Sequence, residues 1–260
     1  MTVRNGTRRN WLRVAGGGIA GLWLAACDRL NSDQNVQATL GKAEGWTMKA
    51  QRALMKRTTA LAQEFTEADI SKDFRANGSI SPADAEYRAL SESGFANYRL
   101  VVDGLVERPL SLSLAELRAL PARTQITRHD CVEGWSSIGK WTGARLGPLL
   151  EKAGLKKEAR YIVFHCADSL EETLDGTGRY YESIDLFDAF HAQTILAYAM
   201  NNAPLPVAHG APLRLRAERH LGFKQAKYVM RLEAVADYGQ IGRGKGGFWE
   251  DRGYDWYAGI

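Results

Sequence analysis

The sequence predicts a mixed α+β domain over residues 74–236. Strand-like segments alternate irregularly with short helical ones there, which is typical of this fold class. Clear signals keep the helices short, such as the capping box that starts at Ser113 and the glycine at position 154. With 45% hydrophobic and 25% charged residues, the chain has the composition of a globular protein with one sizeable core.

Residues 1–27 are predicted to be a signal peptide rather than part of the fold. Arginines at positions 4, 8, 9 and 13 precede a short, glycine-rich apolar run that ends at Cys27. A membrane-spanning helix needs about 20 apolar residues, and this run is too short, so a signal peptide is favoured over a buried N-terminal helix. The pair Arg8-Arg9 is typical of twin-arginine export, which carries proteins that are already folded.

The end of this segment predicts a lipid anchor. Leu24-Ala25-Ala26-Cys27 resembles a bacterial lipobox, in which Cys27 becomes the lipidated first residue of the mature protein. Asp28 then implies retention at the inner membrane, so we expect a periplasmic lipoprotein with membrane contact through the anchor. Ordinary cleavage near Cys27 is the alternative.

The charge of the chain argues against a nucleic-acid partner. The formal net charge is +4, and the first 26 residues contain four arginines and no acidic residue, so the mature chain has 4 − 4 = 0. No basic patch interleaved with aromatic residues is present either, and the sequence therefore predicts no nucleic-acid binding.

Residues 28–73 are predicted to contain a polar linker and then a helix. The linker runs to about Gly45, and apolar residues at helical spacing predict the helix over residues 45–65. Ser81-Pro82 predicts the start of another short helix, which ends near residue 94.

The elements of the domain itself are predicted from periodicity and turn residues. Strands are predicted over residues 98–106, with a break at Asp103-Gly104, and over 124–127, 161–166, 213–216 and 227–236. Helices are predicted over residues 114–119, 146–153, 184–191 and 193–201.

The C-terminal residues 237–260 are predicted to form a tail that wraps over the domain or contacts a partner. This stretch holds seven glycines and six aromatic residues. Its Gly242-x-Gly244-x-x-Gly247 pattern is not followed by a helix start, and a dinucleotide site requires one.

Cys131 is the candidate reactive residue. It lies after the predicted strand over residues 124–127 and is flanked by His129, Asp130 and Glu133. Reactive or metal-binding cysteines lie in such polar, partly open loops, whereas structural cysteines are surrounded by apolar residues. A buried structural cysteine and a disulfide with Cys166 are the alternatives.

Six motifs occur in a fixed order along the chain. They are Cys-Val-Glu-Gly-Trp-Ser (131–136), Trp-Thr-Gly (141–143), Tyr-Tyr-Glu-Ser-Ile-Asp-Leu (180–186), Pro-Leu-Pro (204–206), His-Gly-Ala-Pro-Leu-Arg (209–214) and Gly-Phe-Lys (222–224). Together they resemble the molybdenum-cofactor domain of the sulfite oxidase family, and most of all its bacterial branch, which includes periplasmic methionine-sulfoxide reductases. The resemblance implies a molybdopterin-binding fold of the α+β class, with mixed sheets and short helices.

The resemblance also implies an oxidoreductase that binds a molybdenum–molybdopterin (Mo) cofactor and transfers one oxygen atom with two electrons. Cys131 becomes the catalytic metal ligand, because a soft thiolate suits such a metal. The residues implied to hold the cofactor are Asn77, Cys166, His209, Arg214, Gln225, Ala226 and Lys227. Among them the arginine and the lysine suit a phosphate. Two positions depart from the reductases, which have Asn at the His209 position and Thr at the Cys166 position.

The implied substrate is a small oxyanion, or a sulfoxide or N-oxide group. The sequence has no Cys-x-x-Cys-His haem attachment and no iron–sulfur cysteine set, so electrons are expected to pass to or from a separate protein. A membrane b-type cytochrome is the partner that the resemblance suggests. The alternatives are a hydrolase with Cys131 as nucleophile and a non-catalytic lipoprotein that keeps the fold as a binding module.

Overall fold

The structure, a computed structural model, describes residues 34–55, 61–174 and 178–260. The described residues divide into two units, one that ends at Leu54 and one that lies within Met55–Ile260. The signal peptide and the lipid attachment at Cys27 were assigned to residues that lie outside the described ones. Within the described ranges, no helix combines the length and apolar character that crossing a bilayer requires.

Helices and ten strands make up the described part of the chain. The helices are α1 (Gln34–Met55), α2 (Ala85–Glu92), α3 (Leu114–Arg118), α4 (Leu146–Ala153) and α5 (Leu186–Ala189). The strands are β1 (Arg99–Gly104), β2 (Leu110–Ser113), β3 (Ala122–Asp130), β4 (Ser136–Arg145), β5 (Tyr161–Ser169), β6 (Arg179–Asp185), β7 (Ile195–Met200), β8 (Ala203–Pro204), β9 (Arg214–Arg216) and β10 (Val229–Val235). Single 3-10 turns cover Glu67–Asp69, Val207–His209, Gly222–Lys224 and Glu250–Arg252.

Two five-stranded sheets form the domain. The first has the order β2-β1-β10-β5-β6, in which β1 and β10 run parallel and the other neighbours antiparallel. The second has the order β3-β4-β7-β8, with β9 also paired to β7. The domain therefore has the α+β class with mixed sheets and short helices that the sequence predicts.

The main core contains side chains from both sheets. Leu100 of β1, Phe164 of β5 and Leu196 of β7 are all fully buried in one cluster, together with Leu146 and Leu149 of α4. Fully burying one such side chain stabilises the fold by roughly 1.5–3 kcal/mol. This core fixes the strand ends from which the site is built.

Two helices begin and end as the sequence predicts. In α3, Ser113 and Glu116 form the reciprocal hydrogen bonds of a capping box. Helix α4 ends at Gly154, whose φ of 70° is left-handed and easy only for glycine. Strands β3, β5, β9 and β10 overlap the segments predicted for them, with bounds that shift by up to a few residues.

Four other local predictions are wrong. The N-terminal helix spans Gln34–Met55 instead of residues 45–65, and Phe65 lies alongside β3, where its N–H donates to the carbonyl of Ile126. Helix α2 begins at Ala85 and is capped by Asp84 rather than by Ser81. Asp103 and Gly104 do not interrupt β1, because both residues pair with β10, and the strand ends at Gly104 instead of resuming to Val106. Of the helix predicted over residues 184–191, only the single turn of α5 forms.

The prediction of a helix over residues 193–201 is also wrong. The segment forms strand β7, which pairs with β4 on one side and with β8 and β9 on the other. Its sequence, Ile-Leu-Ala-Tyr-Ala-Met, contains good helix formers. Ladder hydrogen bonds to neighbours on both sides override that weak local preference.

The C-terminal tail packs against the domain. Phe248 is buried and stacks on Tyr180 of β6 at 5.6 Å between ring centroids. Lys224 Nζ donates to Glu250 Oε1 at 2.6 Å and to Glu182 Oε1 at 2.5 Å, and all three side chains are buried. The tail is therefore attached by both an aromatic contact and a buried ion-pair network.

Candidate active site

Cys131 is the first residue after strand β3 and opens the hairpin loop to β4. Its N–H donates to the carbonyl of Trp135 at 2.9 Å, and its own carbonyl accepts from the N–H of Gly134 at 3.0 Å. Gly134 has a φ of 85°, which lets the loop turn tightly. These bonds fix the backbone and leave the Cys131 side chain partly exposed and free of any disulfide.

One cavity contains the side chain of Cys131 and most of the residues that the resemblance selected. Those of them that line it are Asn77, Cys131, His209, Arg214, Gln225 and Lys227. They come from separate places in the chain, namely the segment before α2, the end of β3, the start of β9 and the loop before β10. The fold brings them together because these strand ends meet at one side of the two sheets.

Asn77 connects the segment before α2 to the sulfur of Cys131. Its side-chain amide Nδ2 donates to Cys131 Sγ at 3.4 Å. Lys227 Nζ in turn donates to the backbone carbonyls of Asn77 at 2.8 Å, of Ala208 at 3.3 Å and of Ser79. The lysine thus holds residues 77–79 against the loop before β10.

Arg214 and Lys227 bring positive charge to the cavity, and neither forms an ion pair with a carboxylate among the described residues. Among the described residues, Arg214 donates to two backbone carbonyls, those of His209 at 3.1 Å and Gln225 at 3.4 Å, and its buried Nε finds no hydrogen-bond partner there. Burial, and then the neighbouring Arg216, lower the pKa of Arg214 to about 9. Burial and Arg214 likewise lower the pKa of Lys227 to about 7. A buried arginine and a partly buried lysine, neither of them ion-paired with a carboxylate among the described residues, are suited to binding an anion such as phosphate.

His209 is held neutral between these groups. Burial, followed by Arg214 and Lys227, lowers the pKa of His209 to about 4. Phe74 packs edge-on against its ring at 5.6 Å between centroids. At neutral pH the imidazole therefore adds hydrogen-bonding atoms to the cavity and no further charge.

His129 supports the site from behind. Arg216 is fully buried, pairs with Glu218 and donates from Nη1 to His129 Nδ1 at 3.0 Å. A guanidinium can only donate, so Nδ1 accepts and the proton lies on Nε2. Burial, with Arg216 second, keeps the pKa of His129 well below its usual value. Arg216 is thus bonded to a residue of the cavity lining and does not line the cavity itself.

Cys166 and Ala226 do not line the cavity. Cys166 is 1% exposed in the main core, and burial raises the pKa of its thiol well above the usual value. Ala226 is equally buried, and its carbonyl accepts from the N–H of Leu215. Because both cysteines are free thiols, the alternative of a Cys131–Cys166 disulfide is not realised.

Asp168 lines the cavity and was missed by sequence reasoning. Strand β5 continues to Ser169, beyond its predicted end at Cys166, and so carries Asp168 to the cavity wall. The carboxylate is buried, and its Oδ1 has no hydrogen-bond partner in the part of the chain that the structure describes. Burial raises the pKa of Asp168 to about 6, against the opposing effect of Lys227. Side chains alternate between the two faces of a strand, and this alternation, continued two residues past Cys166, is the sequence signal that could have identified Asp168.

The donor set fits a cofactor that brings its own metal and most of its ligands. Within the described ranges, no three His, Cys, Asp or Glu side chains cluster closely enough to hold a metal ion. The cavity instead offers one thiol, two cations without carboxylate partners, and the unpaired buried atoms Arg214 Nε and Asp168 Oδ1. A soft metal with further sulfur ligands, a phosphate and a polar ring system would use all of these groups.

Comparisons with known proteins agree with this donor set. A family model described as oxidoreductase molybdopterin binding domain matches residues 88–240. YedZ1 of Azospira oryzae, provisionally named as a protein-methionine-sulfoxide reductase subunit, is 35% identical over 248 residues, which cover 93% of this chain and 84% of that protein. The protein-methionine-sulfoxide reductase catalytic subunit MsrP of Campylobacter jejuni is 32% identical over 146 residues, 53% of this chain and 48% of that one. The chain thus spans about half the length of the MsrP relative.

Among solved structures, the sulfane dehydrogenase SoxCD from Paracoccus pantotrophus matches with a TM-score of 0.48 and 24% sequence identity. The match covers 55% of this chain and 39% of the SoxCD chain.

Proposed function

Because the chain belongs to the oxidoreductase molybdopterin-binding domain family, we propose that it is an exported enzyme that reduces methyl sulfoxides, above all methionine sulfoxide. Membership confirms the predicted family, enzyme class and cofactor. The proposed reaction converts a sulfoxide, two electrons and two protons into a thioether and water. The electrons come from a separate redox protein, for which a membrane b-type cytochrome is our candidate.

One observation carries the proposal. Cys131 opens onto the same cavity as Arg214 and Lys227, which have no carboxylate partner in the described part of the chain. A hydrolase would need a histidine placed to accept the thiol proton. The described polar partner of the Cys131 sulfur is instead the amide of Asn77, and Nδ1 of the nearest histidine in sequence, His129, accepts from Arg216.

The proposed roles of the cavity residues depend on their chemistry. Cys131 supplies the thiolate ligand to molybdenum, and Asn77 donates to that sulfur. Arg214 binds the phosphate of the pterin, since its Nε is without a partner among the described residues, and Lys227, whose donors hold backbone carbonyls, adds positive charge beside it. When bound, the cofactor supplies the two-electron oxygen-atom transfer.

The remaining groups are proposed to orient the pterin. Asp168 presents an unpaired acceptor to ring N–H groups, and neutral His209 and Gln225 add further polar contacts. Cys166 and Ala226, which the resemblance also selected, contribute only through the backbone or the core packing beside the cavity.

The relatives and the charge around the sulfur favour a neutral sulfoxide over an oxyanion. Glu133 and Arg75 both line the cavity near Cys131, so their charges offset each other there. Trp135 links them, because its Nε1 donates to Glu133 at 3.1 Å and its ring lies 5.5 Å from the Arg75 guanidinium. Two similar proteins carry names that specify methionine-sulfoxide reduction.

The test is made on the purified holoenzyme. We expect stoichiometric molybdenum and pterin, and reduction of methionine sulfoxide with a reduced viologen as electron donor. Protein from cells grown on tungstate, and the Cys131→Ser variant, should lack this activity. A wild-type preparation that contains molybdenum and pterin but reduces no methyl sulfoxide would refute the proposed reaction.

Export and anchoring are proposed on the sequence of residues 1–28 alone. Replacing both Arg8 and Arg9 by Lys should retain the folded protein in the cytoplasm. Cys27→Ala should leave export intact and release the protein from the membrane fraction, because the lipid attachment is removed. Membrane association that survives Cys27→Ala would argue against the anchor.

A further inference from the structure

The C-terminal tail supplies part of the cavity from outside the region that the family model covers. That region ends at residue 240, whereas Trp249 and Tyr254 line the same cavity as Cys131. Residues 241–260 therefore contribute side chains to the site that the family model does not include.

Three aromatic rings form a continuous surface on this side of the cavity. Tyr254 stacks on Trp249, with 5.4 Å between centroids and an angle of 28° between ring planes. Tyr254 also meets Phe223 edge-on, at 5.2 Å and 90°. All three rings line the cavity, and we call Phe223, Trp249 and Tyr254 the aromatic wall.

The aromatic wall begins next to the metal-ligand candidate. Gly222, directly before Phe223, packs so closely against β3 that a Cβ there would lie 2.5 Å from His129 Nε2 and 3.3 Å from the Asp130 carbonyl oxygen. These are the two residues that precede Cys131. The loop that carries Phe223 therefore starts at the end of the strand that presents the sulfur.

The fold holds the two halves of the wall together. Glu250, next to Trp249, accepts a hydrogen bond from Lys224, next to Phe223, at 2.6 Å. Tyr180 donates from its hydroxyl to the carbonyl of Phe223 and stacks on Phe248. Contacts that are buried and fixed in advance reduce the entropy cost of binding a small molecule.

We propose that the aromatic wall holds the methyl–sulfur end of the substrate and makes the enzyme prefer neutral methyl sulfoxides to oxyanions. The wall offers apolar faces and no cationic side chain of its own, so it favours CH₃–S groups through packing and sulfur–aromatic contacts. It does nothing to stabilise an anion. This inference rests on the proposed reduction of sulfoxide, two electrons and two protons to thioether and water.

The experiment compares variants of the holoenzyme with reduced viologen as electron donor. Tyr254 is 38% exposed, so Tyr254→Leu is suited to testing the wall without loss of the fold. We expect this variant and Trp249→Leu to raise KM for methionine sulfoxide and dimethyl sulfoxide about 3- to 10-fold each, as removal of a sulfur–aromatic contact implies. The turnover number and the molybdenum and pterin content of both variants should stay close to wild type. Tyr254→Phe, which keeps the aromatic ring, should keep the wild-type KM.

The matched control is Tyr238→Leu. Tyr238 belongs to the same tail but does not line the cavity, and its ring stacks on Trp256 instead. Its KM values should stay within about twofold of wild type, since this substitution removes no interaction with substrate. Reduction of chlorate, as an oxyanion probe, should be equally insensitive to all the wall variants.

The possible outcomes separate this inference from the proposed function. If the wild type reduces methionine sulfoxide but both wall variants keep its KM, the wall does not bind substrate. Loss of molybdenum and pterin from Tyr254→Leu, or an equal KM rise in Tyr238→Leu, would also overturn the inference. If the wild-type holoenzyme reduces no methyl sulfoxide, the proposed function itself fails.

Discussion

The Asn77 side-chain amide donates to the sulfur of Cys131 at 3.4 Å, although the two residues are 54 positions apart. A hydrogen bond to a metal-bound thiolate withdraws negative charge from the sulfur and tunes the metal. Asn77 is therefore proposed as a positioning residue for the metal ligand, and it is exposed enough to be replaced without disturbing the core.

We expect Asn77→Ala to lower the turnover of sulfoxide about 10- to 100-fold, the usual effect of removing an outer partner of a metal ligand. Molybdenum content should be retained, and the midpoint potential of the metal should fall because the thiolate becomes more electron-rich. Potentiometry and steady-state kinetics measure both effects. Gln240→Ala, at an exposed amide, is the control, and an unchanged potential in Asn77→Ala would contradict the assignment.

The two described cysteines should respond differently to substitution. Cys131→Ser is expected to abolish activity, because an alcohol does not replace the soft thiolate. Cys166→Ala should keep molybdenum and pterin at wild-type levels and lower the free energy of unfolding by about 1–2 kcal/mol through a small core cavity. Elemental analysis and denaturant titration check this. Loss of the cofactor from Cys166→Ala would mean that the resemblance assigns this position correctly after all.

The lowered pKa of Lys227 predicts that the free energy of unfolding of the cofactor-free protein depends on pH. Its pKa is about 7 when folded, against about 10.4 in an unfolded chain. The penalty for its buried charge is fully present below pH 7 and fades above it, because only the unfolded chain then keeps the proton. From pH 7 to 9 the free energy of unfolding should rise by at most about 1.4 kcal/mol per pH unit from this group.

Denaturant titrations of cofactor-free wild type and Lys227→Met at pH 7, 8 and 9 isolate this effect. From pH 7 to 9 the free energy of unfolding of the wild type should rise relative to that of the variant, which lacks the titrating group. The exposed Lys156→Met is the control and should show no such trend. Parallel pH profiles for wild type and Lys227→Met would show that the lysine is not held at a lowered pKa.

Asp168→Asn is expected to stabilise the cofactor-free protein and to weaken cofactor binding. Its pKa is raised to about 6, so between about pH 4 and 6 the folded chain holds a proton that the unfolded chain has released. Stability from this group is thus present at low pH and lost as the pH rises through 6. At pH 7, Asp168→Asn should stabilise the cofactor-free protein by about 1–3 kcal/mol.

The same substitution should lower pterin content, since an amide replaces the carboxylate that is proposed to accept from the ring. Thermal unfolding of the cofactor-free protein and pterin analysis of the purified enzyme give the two readouts. Asp255→Asn, at an exposed carboxylate, should change neither. A variant that is stabilised but keeps its full pterin content would leave Asp168 with no role in binding.

Local sequence signals predict the features of this fold that are decided within a few residues. The capping box at Ser113, the glycine stop at Gly154 and the polar loop at Cys131 all form as expected. Each of these is determined by backbone hydrogen bonds between near neighbours, so the rest of the chain hardly affects it.

Other features depend on partners that are distant in sequence. Residues 195–200 carry helix-forming side chains, but ladders with three strands make them β7. Asp168 and the aromatic wall were not recognised as parts of the site for the same reason. The position of Asp168 depends on how far β5 continues, which the alternation of side chains along the strand only hints at, and that of the aromatic wall depends on where a buried ion pair holds the tail, which no local pattern encodes.

Lys227 fixes its ammonium to the carbonyls of Asn77, Ser79 and Ala208, and this limits how the protein can be divided. Asn77 and Ser79 precede residue 88, and Trp249 follows residue 240. Segments on both sides of the region that the family model matches therefore line the same cavity. A fragment trimmed to residues 88–240 would lack the cavity-lining residues of both flanking segments. Chimeras between relatives should exchange both flanking segments together, because residues of both segments line the same cavity.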